Sequence, residues 1–196
     1  TAVAEPDADG DRDRDGEALR REAEHILELV ARDYASVLYD EGRGITFGDR
    51  ARTLLHEIRD LAVGKAAPEI AGVDAEGRAM KLSEHRGKVV VLVWWASWCG
   101  PCMAMVPHER ELAARYEGRP FAILGVNGDE DSDQMRRQVK ERGITWRSWA
   151  DGGPRGPIST AWNVKAWPTV YVLDPKGIIR YKGSIDEKAL DRAVET

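Results

Sequence analysis

Apolar positions follow two different periods along this chain, and the change between them divides it into parts. From residue 17 to about residue 63 they recur at three- and four-residue steps, as at Ile26, Val30 and Tyr34, which predicts two amphipathic helices. A glycine-rich stretch separates the helices, and Asp49 is a candidate N-cap of the second one. Two helices of this length bury too little to stand alone, so we expect them to pack on the next domain or on a partner.

From residue 64 onward the pattern alternates between strand and helix. The expected order is a hairpin (70–74 and 78–82), a strand (88–95), a helix (102–116), a strand (121–127), a helix (132–142), a short helical piece (159–162), a second hairpin (169–174 and 178–182) and a last helix (186–194). This order predicts an α/β domain over residues 64–196, with a mixed sheet that helices cover on both faces.

Residues 1–16 are acidic and have almost nothing to bury, so we expect a solvated, flexible tether. No targeting segment is visible in them. Asp11, Asp13, Asp15 and Glu22 also fit the spacing of the oxygen ligands in an EF-hand calcium loop. No helix is expected before Asp11 and no second loop pairs with this one, so calcium binding stays an alternative to the tether.

Composition and charge exclude several classes of protein. The 196 residues carry 29 basic and 34 acidic side chains, a net charge of −5, which argues against a nucleic-acid binder with a broad basic face. The longest apolar run, Val89–Ala96, is far shorter than the roughly 18 residues of a membrane span. Two cysteines are too few for a disulfide-dense scaffold or a four-cysteine zinc site.

The two cysteines lie close together, at Cys99 and Cys102, after a predicted buried strand and at the start of a predicted helix. A helix N-terminus favours a thiolate at Cys99, whereas Cys102 would lie one turn inside the helix. Pro101 stiffens the short spacer between them. A structural disulfide or half of a metal site are the alternatives, but the strand–helix context favours a redox-active pair.

A second feature is the segment Trp167-Pro168-Thr169, which enters a predicted strand. Proline cannot donate to a sheet, so at a strand start it marks an edge, a bulge or a cis bond. Together with the cysteine pair, Pro168 is best interpreted as a cis-proline that faces the sulfur atoms.

These two segments resemble the thioredoxin superfamily, and in detail its TlpA/ResA-like extracytoplasmic branch of redoxins. The resemblance covers residues 64–196. It also rests on Gly64–Ile70, Leu82–Lys88, Val89–Trp95, Pro107, Val126-Asn127 and Asp174–Gly177.

The resemblance implies a thioredoxin fold, a thiol–disulfide oxidoreductase and, from the Gly-Pro spacer, a protein-disulfide reductase. Cys99 would attack and Cys102 would resolve. The expected partners are a disulfide-bearing protein substrate and a thiol protein that restores the electrons, with no cofactor, no metal and no nucleic acid. The expected location is bacterial and extracytoplasmic, with no membrane span and at most a membrane tether through the N-terminus. The implied substrate-binding residues are Trp98, Gly100, Pro101, Trp167 and Pro168.

The chain departs from the family at the buried charged groups. Thioredoxin's buried acid corresponds here to Val93, and the lysine beside it to Gly125; the glutamate of ResA-like proteins corresponds to Met105. Glu109 and His108 are nearby but about two helical turns past the second cysteine. Solvent water is therefore the favoured proton acceptor for that cysteine.

Three rival functions stay open. A thiol peroxidase would need a proline and a threonine ahead of the reactive cysteine, where Leu92 and Ala96 stand. A copper-binding module would generally separate its cysteines by three residues and add a distal histidine. The helical extension could also direct the redox site to one dedicated partner.

Overall fold

The computed structural model describes residues 8–184 and 186–195, and side chains from Gly16 onward. The chain forms two compact units, Thr1–Arg59 and Asp60–Thr196. No helix in the described ranges is both long and apolar enough to cross a membrane.

The first unit is two helices joined by a small hairpin. Its elements are α1 (Ala8–Asp33), β1 (Leu38–Asp40), β2 (Ile45–Thr46) and α2 (Phe47–Asp60), and β1 pairs antiparallel with β2. Helix α1 begins well before residue 17, so the part of the predicted tether from residue 8 onward is helical instead. Alternating acids and arginines are compatible with a helix, and the first seven residues lie outside the description.

Helix α2 begins with a reciprocal cap that differs from the prediction. Thr46, not Asp49, is the residue before the first turn: its hydroxyl accepts the Asp49 N–H at 3.0 Å. The Asp49 carboxylate in return accepts the Thr46 N–H at 3.0 Å. Asp49 therefore occupies the third helical position of a capping box. The hydrogen bond from the Thr46 N–H, with those from the Thr46 hydroxyl and Arg52, holds the pKa of the Asp49 carboxyl down at about 2.

The two helices of this unit contact each other through polar groups. Arg59 lies 3.0 Å from Glu24 and also pairs with Glu28. None of the described side chains of α1 is fully buried, and several large apolar side chains of the unit are exposed. The exposed apolar residues are Leu19, Ile26, Tyr34, Val37, Leu38, Tyr39 and Phe47.

The second unit is a mixed five-stranded sheet with helices and a separate hairpin. Its elements in order are β3 (Ala71–Val73), β4 (Ala79–Lys81), a 3₁₀ turn (Leu82–His85), β5 (Val89–Trp95), α3 (Gly100–Arg115), β6 (Phe121–Asn127), α4 (Ser132–Arg142), β7 (Ser148–Ala150), α5 (Pro157–Ala161), β8 (Thr169–Leu173), β9 (Ile179–Gly183) and α6 (Glu187–Val194). The sheet order is β7-β6-β5-β8-β9, and β3 pairs with β4 outside it. Strands β5, β6 and β7 are parallel, whereas β8 runs antiparallel to β5 and β9.

Each face of this sheet carries its own hydrophobic core, because successive side chains of a strand point to opposite faces. Along β5, Val91, Val93 and Trp95 enter the core that contains both cysteines. The alternate residues enter the core of the opposite face. A central strand buried on both faces explains the uninterrupted apolar run of the sequence.

Most predicted elements of this unit are present within a residue or two of their expected ends. Strand β7 was not predicted, because three residues are too few to show a period. Asp186 caps α6 as predicted, accepting the Ala189 N–H at 2.9 Å.

Candidate active site

Three strand ends meet at one edge of the sheet and form the base of the candidate site. Strand β5 ends at Trp95, which pairs with Asn127 at the end of the parallel strand β6. Strand β8 runs the other way, and its first residue Thr169 pairs with Trp94. The chain that follows β5, the chain that follows β6 and the chain that precedes β8 therefore lie side by side at this edge.

Cys99 and Cys102 form a disulfide at this edge, at the N-terminus of α3. Cys99 is the N-cap of the helix, and its sulfur accepts the Cys102 N–H at 3.1 Å. Gly100 and Pro101 are the first two helical residues and are exposed. Cys102 lies below them, fully buried, with its sulfur 3.8 Å from the carbonyl oxygen of Trp94. The helix N-terminus thus presents amide groups and the positive end of its dipole to the Cys99 sulfur.

Two tryptophans stand beside the disulfide. Trp98, directly before Cys99, is 52% exposed, whereas Cys99 itself is only 4% exposed. The ring of Trp98 meets the ring of Trp167 edge-on, with centroids 5.3 Å apart. Trp167 fits because residue 128 is glycine: a Cβ there would lie 2.5 Å from the Trp167 ring.

Pro168 follows Trp167 and is buried, and the peptide bond between the two is cis. Its carbonyl oxygen accepts the Ser184 hydroxyl at 3.0 Å. Thr169 donates its hydroxyl to the Ala166 carbonyl at 2.7 Å. These two bonds tie down the segment that leads into β8.

The three positions where the sequence departs from the resembled family are filled by close packing. Val93 and Met105 are buried in the same core as the cysteines. A Cβ at Gly125 would lie 2.1 Å from the Ser148 hydroxyl and 2.6 Å from the indole nitrogen of Trp95. That nitrogen donates to Ser148 at 3.1 Å, so a side chain at position 125 would displace an existing hydrogen bond.

Glu109 is the most unusual titratable group of α3. It is 5% exposed, and burial alone raises the pKa of its carboxyl from 4.5 to about 8. Helix geometry puts it on the same side of α3 as Cys102, about 10 Å farther along the axis. The neighbouring His108 instead lies 3.1 Å from Asp191 of α6.

One group of the site was missed by the sequence analysis: a buried polar cluster behind the loop that carries Trp98. Asp129 is 4% exposed, and its carboxylate accepts the Ser97 N–H at 3.0 Å and the Ser97 hydroxyl at 2.7 Å. Asn127 adds a third donor at 2.9 Å. The sequence signal for this cluster is weak: a polar residue, Asn127, ends a buried strand, and Asp129 follows two positions later.

The calcium alternative receives no support from the backbone. An EF-hand holds its ligands on an irregular loop, whereas Ala8–Asp33 is one helix that includes Asp11, Asp13, Asp15 and Glu22. The side chains before Gly16 lie outside the description. Among the described residues, no group of three or more His, Cys, Asp or Glu side chains is arranged to hold a metal ion.

Comparison with known proteins shows the family of the chain. A profile of the AhpC/TSA family matches residues 63–182. The thiol-disulfide oxidoreductase ResA of Geobacillus kaustophilus is 30% identical over 138 residues, which span 69% of this chain and 78% of that protein.

Solved structures of thiol-disulfide oxidoreductases are similar to this chain in fold. A thiol-disulfide oxidoreductase from Bacteroides fragilis, 25% identical, superposes with a TM-score of 0.61 over 67% of this chain and 98% of its own. The thioredoxin domain of a thiol-disulfide oxidoreductase from Bacteroides vulgatus, 23% identical, has a TM-score of 0.62 over 69% of this chain and 99% of its own, and this is a likeness of fold alone. The predicted α/β thioredoxin-like fold and the predicted resemblance to ResA are confirmed.

Proposed function

The chain belongs to the AhpC/TSA family and is a thiol–disulfide oxidoreductase, and on that premise we propose that it reduces disulfides of partner proteins. Cys99 is the attacking thiolate and Cys102 the resolving thiol. The observation that carries this proposal is the Cys99–Cys102 disulfide at the N-terminus of α3, beside the exposed ring of Trp98.

The reaction proceeds by two exchanges between sulfur atoms. The Cys99 thiolate of the reduced protein attacks one sulfur of the substrate disulfide, which forms a mixed disulfide and releases the other substrate sulfur as a thiolate. Cys102 then loses its proton and attacks the Cys99 sulfur, which closes the Cys99–Cys102 disulfide and releases the second substrate thiol. Two electrons and two protons pass from the protein dithiol to the substrate. A separate dithiol protein returns the protein to its reduced form.

The positions of the two sulfurs support this division of roles. The Cys102 N–H points at the Cys99 sulfur, and a hydrogen bond of that kind stabilises a thiolate. Cys102 lies deeper, inside the first turn, where it contacts the Trp94 carbonyl and not the surface. An incoming disulfide therefore meets Cys99 first.

The substrate surface in this proposal is the rim of exposed residues around Cys99. Gly100 and Pro101 follow Cys99 in the chain and are exposed, and Trp98, which precedes it, meets the ring of Trp167. Pro168 begins the segment whose backbone would pair with the bound substrate chain. A substrate with an apolar side chain next to its cysteine would gain contact area on the two rings.

The reducing direction and the extracytoplasmic location are further parts of the proposal. The Gly-Pro spacer supports the first, and the similarity to ResA supports the second. We also assign the whole reaction to residues 64–196 and treat residues 17–63 as an extension outside it, because every site residue lies between Trp94 and Ser184.

A thiol peroxidase, the rival enzyme, is not favoured. The positions that would hold its proline and threonine are Leu92 and Ala96, and both are completely buried apolar residues. Alanine at position 96 has no side-chain hydroxyl that could hydrogen-bond a peroxide at Cys99.

Trapping of the mixed disulfide tests the roles of the two cysteines. The Cys102→Ser variant, mixed with insulin as a disulfide substrate, should accumulate a covalent adduct at Cys99, because nothing resolves it. The matched Cys99→Ser variant should form almost none, and neither variant should turn over. Mass spectrometry of the digested adduct locates the bond. Trapping on Cys102 and not on Cys99 would overturn the assignment.

A further inference from the structure

The segment Asn127–Asp129 contacts two parts of the active site: the loop that carries Trp98 and Cys99, and the ring of Trp167. On one side the Asp129 carboxylate binds the loop that carries Trp98 and Cys99. On the other side Gly128 lies against the ring of Trp167. Neither sulfur-exchange step of the proposed reaction involves these three residues directly.

The contacts of Asp129 concentrate on one residue of the opposite loop. Both carboxylate oxygens accept the Ser97 N–H, at 3.0 and 3.2 Å, and one of them also accepts the Ser97 hydroxyl at 2.7 Å. Ser97 lies two residues before Cys99, in the irregular stretch between β5 and α3. The Gln134 amide donates to the same hydroxyl at 2.6 Å, so the Ser97 side chain both donates and accepts a hydrogen bond.

Hydrogen bonds of the neighbouring residues fix the position of the Asp129 carboxylate. Asn127 donates its amide to Asp129 at 2.9 Å, and its amide oxygen accepts the Asp129 N–H at 3.1 Å. Gly128 donates its N–H to the Trp95 carbonyl at 3.0 Å, which ties the loop to the end of β5. Asp129 thus reaches Ser97 from a fixed position and not from a flexible surface loop.

A carboxylate suits this place better than other side chains. It accepts only, and it has enough lone pairs for the three donors that converge on it. Hydrogen bonds to a charged acceptor are also stronger than those between neutral groups. Because Asp129 is buried, loss of the acceptor would leave the Ser97 N–H unpaired and free the loop to shift.

We propose that Asp129 is a positioning residue for the exchange reaction: by fixing Ser97 it sets where Trp98 and Cys99 stand relative to Trp167. The inference rests on the proposed function, since it concerns the presentation of Cys99 to a protein disulfide. A substrate that contacts both tryptophan rings needs the rings of Trp98 and Trp167 at fixed positions relative to each other. A small aromatic disulfide that contacts only the sulfur does not.

The test compares Asp129→Ala and Asp129→Asn with two substrates, insulin and 5,5′-dithiobis(2-nitrobenzoate). Glu130→Gln is the control, because it removes one negative charge from the adjacent, exposed residue. In Asp129→Ala, kcat/KM for insulin should fall about tenfold or more, as small displacements of reacting groups cost rate steeply. The rate with the small disulfide should fall less than about threefold, and Glu130→Gln should change neither.

Asp129→Asn keeps one oxygen acceptor, so its loss with insulin should be intermediate, and it carries the test if the alanine variant does not fold. Equal losses with both substrates, or none with either, would overturn the inference, since a purely structural role predicts no selectivity. If the unsubstituted protein reduces neither disulfide, it is the proposed function that fails.

Discussion

Two buried carboxyl groups belong to the elements that build the site, and they differ sharply in their hydrogen bonding. Asp129, after β6, is surrounded by hydrogen-bond donors from Ser97 and Asn127. Glu109, in the middle of α3, is buried to the same degree, but the pKa of its carboxyl is shifted by desolvation alone. The Asp129 carboxyl accepts several hydrogen bonds, whereas burial is what raises the pKa of the Glu109 carboxyl.

The difference shows that burial by itself does not determine what an acid does in a fold. A buried carboxylate that receives several N–H and O–H bonds can hold a loop in place. A buried carboxyl without such donors keeps its proton until the pH is well above its ordinary range. Asp129 is accordingly expected to matter for the geometry of the site, and Glu109 for how stability depends on pH.

The largest expected effect is on stability, from Glu109→Gln. The folded protein holds the Glu109 proton up to about pH 8, whereas the unfolded chain releases it near pH 4.5. The folded state therefore binds more protons in this window, and the free energy of unfolding falls as the pH rises through it. Each pKa unit corresponds to about 1.4 kcal/mol. The free energy of unfolding of the variant should be higher at pH 8 by on the order of a few kcal/mol, and nearly unchanged at pH 4.

Urea unfolding from pH 4 to pH 9 measures this, with Glu111→Gln as the matched control. Glu111 is an exposed glutamate of the same helix, so its substitution should leave the pH dependence as it is. If Glu109→Gln has the same pH profile as the unsubstituted protein, the side chain is solvated and the contrast with Asp129 does not hold.

A smaller effect is expected from Asp129→Ala on the other side of the comparison. This variant should lose about 1–3 kcal/mol of stability at pH 7, because it leaves buried donors of Ser97 and Asn127 without an acceptor. The two substitutions thus change stability in opposite directions at neutral and higher pH. Urea denaturation at pH 7 checks the sign. A gain in stability would mean that the cost of burying the Asp129 charge exceeds the value of its hydrogen bonds.

The smallest effect is expected from Ser97→Ala. Only the hydroxyl is lost, and the Ser97 N–H still reaches the carboxylate, so the cost should be about 0.5–1.5 kcal/mol. Combining it with Asp129→Ala should give less than the sum of the two losses, because the residues share a bond. Strict additivity in this double-mutant cycle would show that the hydroxyl contact contributes nothing.

Much of the fold could be predicted because its cues are local. The apolar run of β5 and the strand–helix alternation gave elements close to those observed, and Asp186 capped α6 as expected. Predictions failed where the cue was weak or where polar residues have two uses. The acids and arginines from Ala8 onward suggested a tether, yet they are part of α1. At α2, Asp49 was predicted as the cap, but the hydrogen bonds of the structure make Thr46 the cap and put Asp49 three positions later.

The candidate site, like the fold, has features that the sequence predicts and features that it does not. The spacing of Cys99 and Cys102 between a strand and a helix points to the disulfide directly. The Asp129–Ser97 contact joins residues distant in sequence, and it becomes visible only once the β5–β6 pairing brings the two strand ends together. The burial of Glu109 is also hidden in the sequence, because a polar residue in a helix is expected to face water.

The reduction potential of the Cys99–Cys102 pair tests the central proposal most directly. The protein is equilibrated in dithiothreitol or glutathione buffers of known potential, and the fraction of free thiol is read by alkylation and mass. If the protein is a protein-disulfide reductase, the pair should be reduced and oxidised reversibly by two electrons, with a reduction potential near the thioredoxin value of about −270 mV. A value near about −120 mV would make the protein an oxidant. A pair that does not exchange electrons with either buffer would contradict the redox role of the site itself.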